Sequence, residues 1–220
     1  IEIDPMVAQI SQVSVELSKI PEINETGRKA DLRVKVSEKI KTAEGIVSIK
    51  LESIDGQLPT FQPGAHIDLH LQNGLVRQYS LVDGPGETNF YKIGVKLEEP
   101  SAGGSSYIHD NLRVGDILAC STPRNNFPLR RDSTKTIFIA GGIGLTPLLA
   151  MSQALDVMGL DYEFHYFVQS ENHIAFSSVL NKSKAKTFIH EGFSPDSTVK
   201  KINDVLKNPR NSMNLYVCGP

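Results

Sequence analysis

The sequence has little cysteine, little net charge and no long apolar run. Its 220 residues hold two cysteines, Cys120 and Cys218, far apart and without metal-ligand spacing. An iron–sulfur cluster needs about four such ligands, so this pair cannot hold one. Six histidines are present, and none is paired at a spacing such as HExxH. His66 lies beside Pro63-Gly64, while His165 and His190 sit in or near strand-like runs. These read as core or surface histidines rather than catalytic ones. A formal net charge of −2 leaves no electrostatic footprint for nucleic acid. No stretch reaches the roughly 20 apolar residues that a membrane helix requires. The opening Ile1-Glu2-Ile3-Asp4 has no signal-peptide pattern and no initiator Met, as a trimmed or excised piece would. Low cysteine use without an export signal leads to the expectation of a cytoplasmic setting, with neither membrane nor nucleic acid as partner.

The GxGxxG dinucleotide fingerprint is missing as well. In its place stands Thr136-Ile137-Phe138-Ile139-Ala140-Gly141-Gly142-Ile143-Gly144-Leu145-Thr146-Pro147. The first five residues read as a strand buried on both faces. An apolar stretch from Leu145 to Met158 follows, with Leu148, Leu149, Leu155 and Met158 at helix-like spacing. Strand, glycine turn and helix start make a corner suited to phosphate. Glycines let a ligand approach the backbone, and the free N–H groups of a helix start attract anions. A plain tight turn explains the glycines equally well.

Elsewhere the pattern changes twice. Met6, Val7, Ile10, Val13, Leu17 and Ile20 follow helical spacing, with Asp4 and Pro5 suited to its start. A linker over residues 21–30 follows this lead helix. From Asp31 the pattern is alternation: Leu32, Val34, Val36; Val47, Ile49, Leu51; Ile67, Leu69, Leu71. Asn73-Gly74 marks a hairpin before a strand over Leu75 to Leu81, and Tyr91, Ile93, Val95 and Leu97 alternate again. A short helix over 105–112 and a last strand over 116–121 complete a unit expected to be a closed antiparallel barrel. After Ser133, strands near 136–140, 162–168, 186–190 and 214–218 alternate with helices near 145–158, 174–181 and 198–207. Val199, Ile202, Val205 and Leu206 are expected to share one face of the last helix. This is a parallel sheet covered on both faces. The expected division is a lead helix and linker over 1–30, a barrel domain over 31–133 and an α/β domain over 134–220.

The barrel carries a second motif, Arg77-Gln78-Tyr79-Ser80-Leu81. On a strand Arg77 and Tyr79 point to one face and Ser80 to the other. Arginine offers a fork for phosphate, the aromatic ring a platform for a flat ring, and the hydroxyl a donor or acceptor. A solvated Arg beside a core Tyr is the plainer reading. Pro100-Ser101-Ala102-Gly103-Gly104-Ser105-Ser106 is a second candidate anion nest, or else a loop with a serine cap.

These motifs, with Pro123-Arg124-Asn125-Asn126-Phe127 and Cys218-Gly219-Pro220, occur in an order that resembles the ferredoxin–NADP reductase superfamily. Within it, the chain over about residues 31–220 resembles the FMN-type reductase components of phthalate dioxygenase and vanillate demethylase systems. The resemblance implies that Arg77 and Ser105 bind the FMN phosphate, with Gly103 and Gly104 shaping the loop. Tyr79 and Leu81 would belong to the flavin wall, and Ser80 would reach the flavin N5 region. Asn126 and Phe127 would close the flavin side of the cleft. Gly141, Gly142, Gly144, Thr146 and Pro147 would line the NADH site, with Ser170 near the adenosine ribose and Cys218 by the nicotinamide. Ser80 and Cys218 would be the residues nearest the chemistry. On its own, Cys218 reads as an inert buried thiol. The ends of the first and fourth parallel strands should nevertheless flank the switch-point crevice of an open α/β sheet, and those ends are Gly141 and Cys218.

The implied activity is an oxidoreductase that takes hydride from NADH onto FMN. Single electrons would then pass to a [2Fe-2S] ferredoxin domain serving an oxygenase or demethylase, with no side chain acting as acid or base. Three departures qualify the resemblance. Phe167-Val168-Gln169-Ser170 lacks the Arg that many relatives place near the ribose, which favours NADH over NADPH. Ala102 stands where relatives often have Arg, so Arg77 would carry more of the phosphate charge. The four-cysteine [2Fe-2S] domain that follows in relatives is not in these 220 residues, so it is expected only in a longer native chain. A stand-alone flavin reductase or diaphorase, a non-catalytic flavin- or nucleotide-binding regulatory subunit and a colourless barrel adaptor are the competing readings.

Overall fold

The computed structural model describes residues 30–84, 86, 89–207 and 213–220. The lead helix expected over residues 5–20 lies outside them. The first half is an antiparallel sheet of β1 (Leu32–Ala43), β2 (Ile46–Ser53), β3 (His66–His70), β4 (Val76–Ser80), β5 (Phe90–Lys96) and β6 (Ile117–Cys120). The strand order is β4-β3-β6-β1-β2-β5. Its two ends meet where Leu81 bridges Ile93 and the Val82 N–H donates to the Lys92 carbonyl at 2.9 Å. The sheet therefore closes into a barrel, which removes its open edges.

The alternation read from the sequence decides which side chains fill it. Val34, Val36, Ile49, Leu51, Ile67, Leu69 and Ile93 are wholly buried together in the interior. Gly74 makes the β3–β4 turn at φ 83°, a left-handed conformation that glycine adopts without steric cost. Asn73 Oδ1 supports the turn by accepting the Leu75 N–H at 3.2 Å.

Helix α1 (Gly104–Asp110) packs against the barrel core through Ile108. Two cations hold the carbonyls around its end, Lys39 and Arg113, the latter donating to the Asp110 and Leu112 carbonyls. Lys39 Nζ donates to the carbonyls of Ile108, His109 and Leu112 at 2.7, 2.8 and 3.0 Å. A lysine there suits both the unsatisfied carbonyls and the negative end of the helix.

The second half is a parallel sheet covered by helices. It contains β7 (Lys135–Gly141), α2 (Leu145–Met158), β8 (Tyr162–Val168), α3 (Ser177–Leu180), β9 (Lys186–Glu191), α4 (Pro195–Val205) and β10 (Met213–Cys218). The strand order is β10-β7-β8-β9. Alternation along β7 again sorts the two faces. Phe138 and Ala140 pack in the cluster that contains Leu145, Leu148, Leu149 and Leu155 of α2. Ile137 and Ile139 pack with Ile202 and Val205 of α4, and with Leu206 just beyond it.

Two sequence expectations need correction here. Val199 does not share the buried stripe of α4 and is 59% exposed, because that helix meets the sheet only through its second half. The helix expected over 174–181 shrinks to Ser177–Leu180, preceded by Phe176 in a left-handed conformation at φ 54°. Among the described residues no helix is long and apolar enough to cross a membrane.

Barrel and parallel sheet share an apolar seam. Ala43, Ile46 and Val82 of the barrel side are buried in the same cluster as α2 and β7. Gln153 Nε2 donates to the Val82 carbonyl at 2.8 Å, and the Glu44 N–H donates to the Asn172 carbonyl at 2.8 Å. The connecting segment is fixed too. Phe127 meets Tyr216 edge to face at 5.5 Å, and the Tyr216 hydroxyl accepts the Arg130 N–H at 2.6 Å.

Replacing Lys39 by Met should remove the ammonium from the Ile108 and His109 carbonyls and leave the Leu112 carbonyl to Arg113 alone. The expected cost is about 1–3 kcal/mol of stability, seen as a lower urea midpoint with an unchanged slope. An unchanged midpoint would show that water replaces the ammonium at no cost.

Candidate functional site

The cleft lies where the barrel mouth faces the carboxyl ends of β7 and β10. It encloses about 600 Å³, within the roughly 300–1,000 Å³ usual for small-molecule sites. On the barrel side it is lined by Arg77, Gln78, Tyr79 and Ser80, by Gly94, Lys96 and Glu98, and by Pro100, Ala102, Gly104 and Ser105. On the sheet side it is lined by Ile143, Gly144, Thr146, Pro147 and Cys218.

Arg77 is fixed at this mouth by its own surroundings. Its guanidinium donates to the Val76 carbonyl at 2.9 Å and to the Ala102 carbonyl at 2.8 Å. A Cβ on Gly104 would stand 2.5 Å from Arg77 Nε, so glycine there leaves room for the Arg77 side chain in this conformation. Two of the five guanidinium donors are engaged in these bonds, which leaves others for an anion. Ser101 organises the neighbouring loop. Its hydroxyl accepts the N–H groups of Gly103 and Ser106 at 3.1 and 3.4 Å. The Ser105 hydroxyl contacts Ser101 Oγ at 3.1 Å and accepts the Glu98 N–H at 3.2 Å, so it braces the loop as well as lining the cleft. Tyr79 packs against the barrel core, and burial pushes its phenol up to about 12, so it stays neutral.

The opposite wall depends on a close backbone approach. The turn Gly142–Gly144 follows β7 directly, with Gly142 at φ 50°. A Cβ on Gly144 would stand 2.2 Å from the Cys218 carbonyl oxygen. Glycine at 144 thus lets the start of α2 press against the end of β10. Thr146 Oγ1 donates to the Ile143 carbonyl at 3.1 Å, which fixes its rotamer. Cys218 is a free thiol, and burial raises its pKa. It faces the cleft as a neutral, weakly polar group rather than a thiolate.

Not every residue expected at the site lines it. Arg77, Tyr79, Ser80, Gly104, Ser105, Gly144, Thr146, Pro147 and Cys218 come together there. Leu81 does not: it is wholly buried, as the bridge that closes the barrel requires. Gly103 sits behind the wall as the left-handed residue before α1, at φ 85°. Phe127 packs on Tyr216 and Asn126 is exposed beside it, both outside the cleft lining. Gly141 and Gly142 shape the turn without lining the cavity. Ser170 lies beyond the end of β8, where its hydroxyl pairs with His173 Nδ1 at 2.9 Å.

Gly94, Lys96 and Glu98 line the cleft outside every motif read from the sequence, whereas Gln78, Pro100, Ala102 and Ile143 line it from within those motifs without having been assigned as binding residues. The signal for two of them was available. Ile93 and Val95 point into the barrel, so Gly94 and Lys96 must point out of it.

No family model matches this sequence. The chain is 42% identical over 176 residues to Oxidoreductase NdmD of Pseudomonas putida, covering 80% of this chain and 30% of that protein. It is 41% identical over 180 residues to a vanillate O-demethylase oxidoreductase of Pseudomonas putida, covering 81% of this chain and 56% of that one. A solved structure of phthalate dioxygenase reductase superposes with a TM-score of 0.80 at 33% identity, covering 86% of this chain and 60% of that chain. That structure is described as modular, for electron transfer from pyridine nucleotides to [2Fe-2S]. The chain thus spans 30–57% of the length of these curated relatives.

Cys218 should alkylate slowly. With its pKa raised above the ordinary thiol value of about 8.5, the thiolate is scarce at neutral pH and grows as pH rises. Iodoacetamide labelling followed by mass spectrometry should show Cys218 slower than free cysteine near neutrality, with the rate still climbing above the pH where free cysteine levels off. Labelling as fast as free cysteine at neutral pH would contradict this burial.

Proposed function

The chain is a homologue of vanillate O-demethylase oxidoreductase and phthalate dioxygenase reductase with the fold of the ferredoxin–NADP reductase superfamily, and we propose that it is the NADH-to-flavin module of an oxygenase reductase. The observation that carries this reading is the single cleft with two unlike walls. One wall offers a fixed guanidinium, a neutral aromatic ring and hydroxyls. The other is the crevice at the carboxyl ends of β7 and β10, the position where open α/β sheets take their ligands.

The residues present fit a flavin mononucleotide. Arg77 would take the phosphate, helped by the Gly103–Ser105 loop, because a guanidinium matches phosphate in a charge-assisted, forked geometry. Tyr79 would lie along the ring system, and Ser80 would bond near its reacting edge. NADH would enter from the other side, its nicotinamide near Thr146 and Cys218. When bound, the flavin supplies the redox chemistry, accepting a hydride from NADH and releasing electrons one at a time. The chain's part is to bind, orient and exclude water; holding two reactants in register replaces a bimolecular encounter. Neither Ser80 nor the neutral Cys218 need transfer a proton. The electron acceptor would be a [2Fe-2S] ferredoxin domain serving an oxygenase or demethylase. Its four cysteines are not among these 220 residues, where Cys120 is buried and far in sequence from Cys218.

Two outcomes test this reading. Arg77→Ala should weaken FMN binding by about 2–5 kcal/mol, the cost of removing one partner of a buried charge pair. Protein that keeps its flavin should still be reduced by NADH at nearly the parental rate. Fluorescence titration measures the first and stopped flow the second; equal FMN affinity would remove Arg77 from the phosphate site.

The segment Gln169–His173, beyond β8, contains no Lys or Arg to meet a 2′-phosphate and does contain Glu171. kcat/KM with ferricyanide as acceptor should therefore favour NADH over NADPH. Equal or better values with NADPH would contradict the assignment.

A further inference from the structure

We propose that Gly94 is a positioning residue that sets how closely the flavin wall and the nicotinamide wall approach each other; the inference rests on the flavin–nicotinamide reading of the cleft. Gly94 lies on β5 with its outward side turned to the sheet half of the molecule. A Cβ built there would stand 2.8 Å from Thr146 Cγ2, 2.9 Å from Phe176 Cε2 and 3.0 Å from Phe176 Cζ. The φ of Gly94 is not in the left-handed region, so the backbone conformation does not demand glycine. What demands it is the space between the two halves.

Neither neighbour is free to retreat. Thr146 is 6% exposed, and its hydroxyl is bonded to the Ile143 carbonyl. Phe176 is 5% exposed within the seam cluster, on a left-handed backbone at φ 54°. Strain of that kind persists where the surroundings over-determine it. The segment before Phe176 is fixed by a buried phenol: Tyr166 Oη accepts the Ala175 N–H at 3.4 Å and donates to the His173 carbonyl at 3.4 Å. A methyl group at position 94 must therefore move the barrel relative to the sheet rather than a side chain. Gly94 and Thr146 both line the cleft, so that shift widens the cleft between its walls. Arg77, Ala102 and Ser105 belong to the barrel side alone and would move together.

The consequence separates binding from register. Gly94→Ala should bind FMN with parental affinity, yet flavin reduction by NADH should slow by roughly ten- to a hundredfold, as a misplacement on the order of 1 Å does. The long-wavelength charge-transfer absorbance that marks a stacked nicotinamide–flavin pair should fall with it. The double variant Gly94→Ala with Thr146→Ser removes the methyl nearest the new Cβ and should recover part of both signals. Parental rate and absorbance in Gly94→Ala would overturn the proposal, as would slowed reduction with the absorbance intact.

If Gly94→Ala fails to fold, Phe176→Leu tests the same contact from the other side by removing the ring atoms against Gly94. Loss of the charge-transfer absorbance with FMN affinity kept supports the proposal, and unchanged absorbance contradicts it. A parental chain that binds no flavin would instead remove the reading on which the proposal rests.

Discussion

The site depends on the apolar seam that holds a closed barrel against the open end of a parallel sheet. Neither half contains the cleft. The barrel brings the strand mouth at Arg77–Ser80, and the sheet brings the junction of Gly144 with Cys218. They form one cavity because Ala43, Ile46 and Val82 are buried with residues of α2 and β7. Burial of such side chains is worth roughly 1.5–3 kcal/mol each for the larger ones. Directional bonds such as Gln153 to the Val82 carbonyl then fix the orientation that a non-directional force leaves loose.

The chemistry of the two walls differs for reasons of packing. The barrel wall comes from strand ends and a loop, so it carries polar groups whose remaining bonds stay in the protein. Arg77 is typical: its side chain lies over Gly104 and is tied to the carbonyl of Ala102. The residue that replaces an expected cation thus contributes through its backbone, fixing the cation that is left. The sheet wall comes from backbone brought close to backbone. It is built where parallel strand order reverses, with β8 on one side of β7 and β10 on the other.

Much of the fold was legible because period alone separates the two halves. Alternation over Leu32–Val36, Val47–Leu51 and Ile67–Leu71 marked barrel strands, and all fall in or beside β1, β2 and β3. Apolar runs separated by helical spacing marked the parallel sheet. Helical spacing failed at Val199 because periodicity tells which residues share a stripe, not how far along its length a helix touches the sheet. The cleft lining was legible where a motif carried it, as at Arg77-Gln78-Tyr79-Ser80. It was poorly legible where tertiary placement decides. Leu81 continues that motif, yet it turns inward to close the barrel. Gly94 has no motif at all, and its importance arises from Thr146 and Phe176, more than 50 residues away in sequence.

On the proposed reading, one cleft seats a flavin and a nicotinamide in reacting register. An anaerobic titration of the FMN-loaded chain with NADH, followed by visible absorbance, tests it most directly. The oxidised-flavin absorbance should bleach as NADH is added, with one equivalent of NADH consumed per flavin and no added protein required. A chain that holds flavin yet keeps its oxidised spectrum through excess NADH would contradict the shared cleft. A chain that holds no flavin at all would contradict the barrel wall itself.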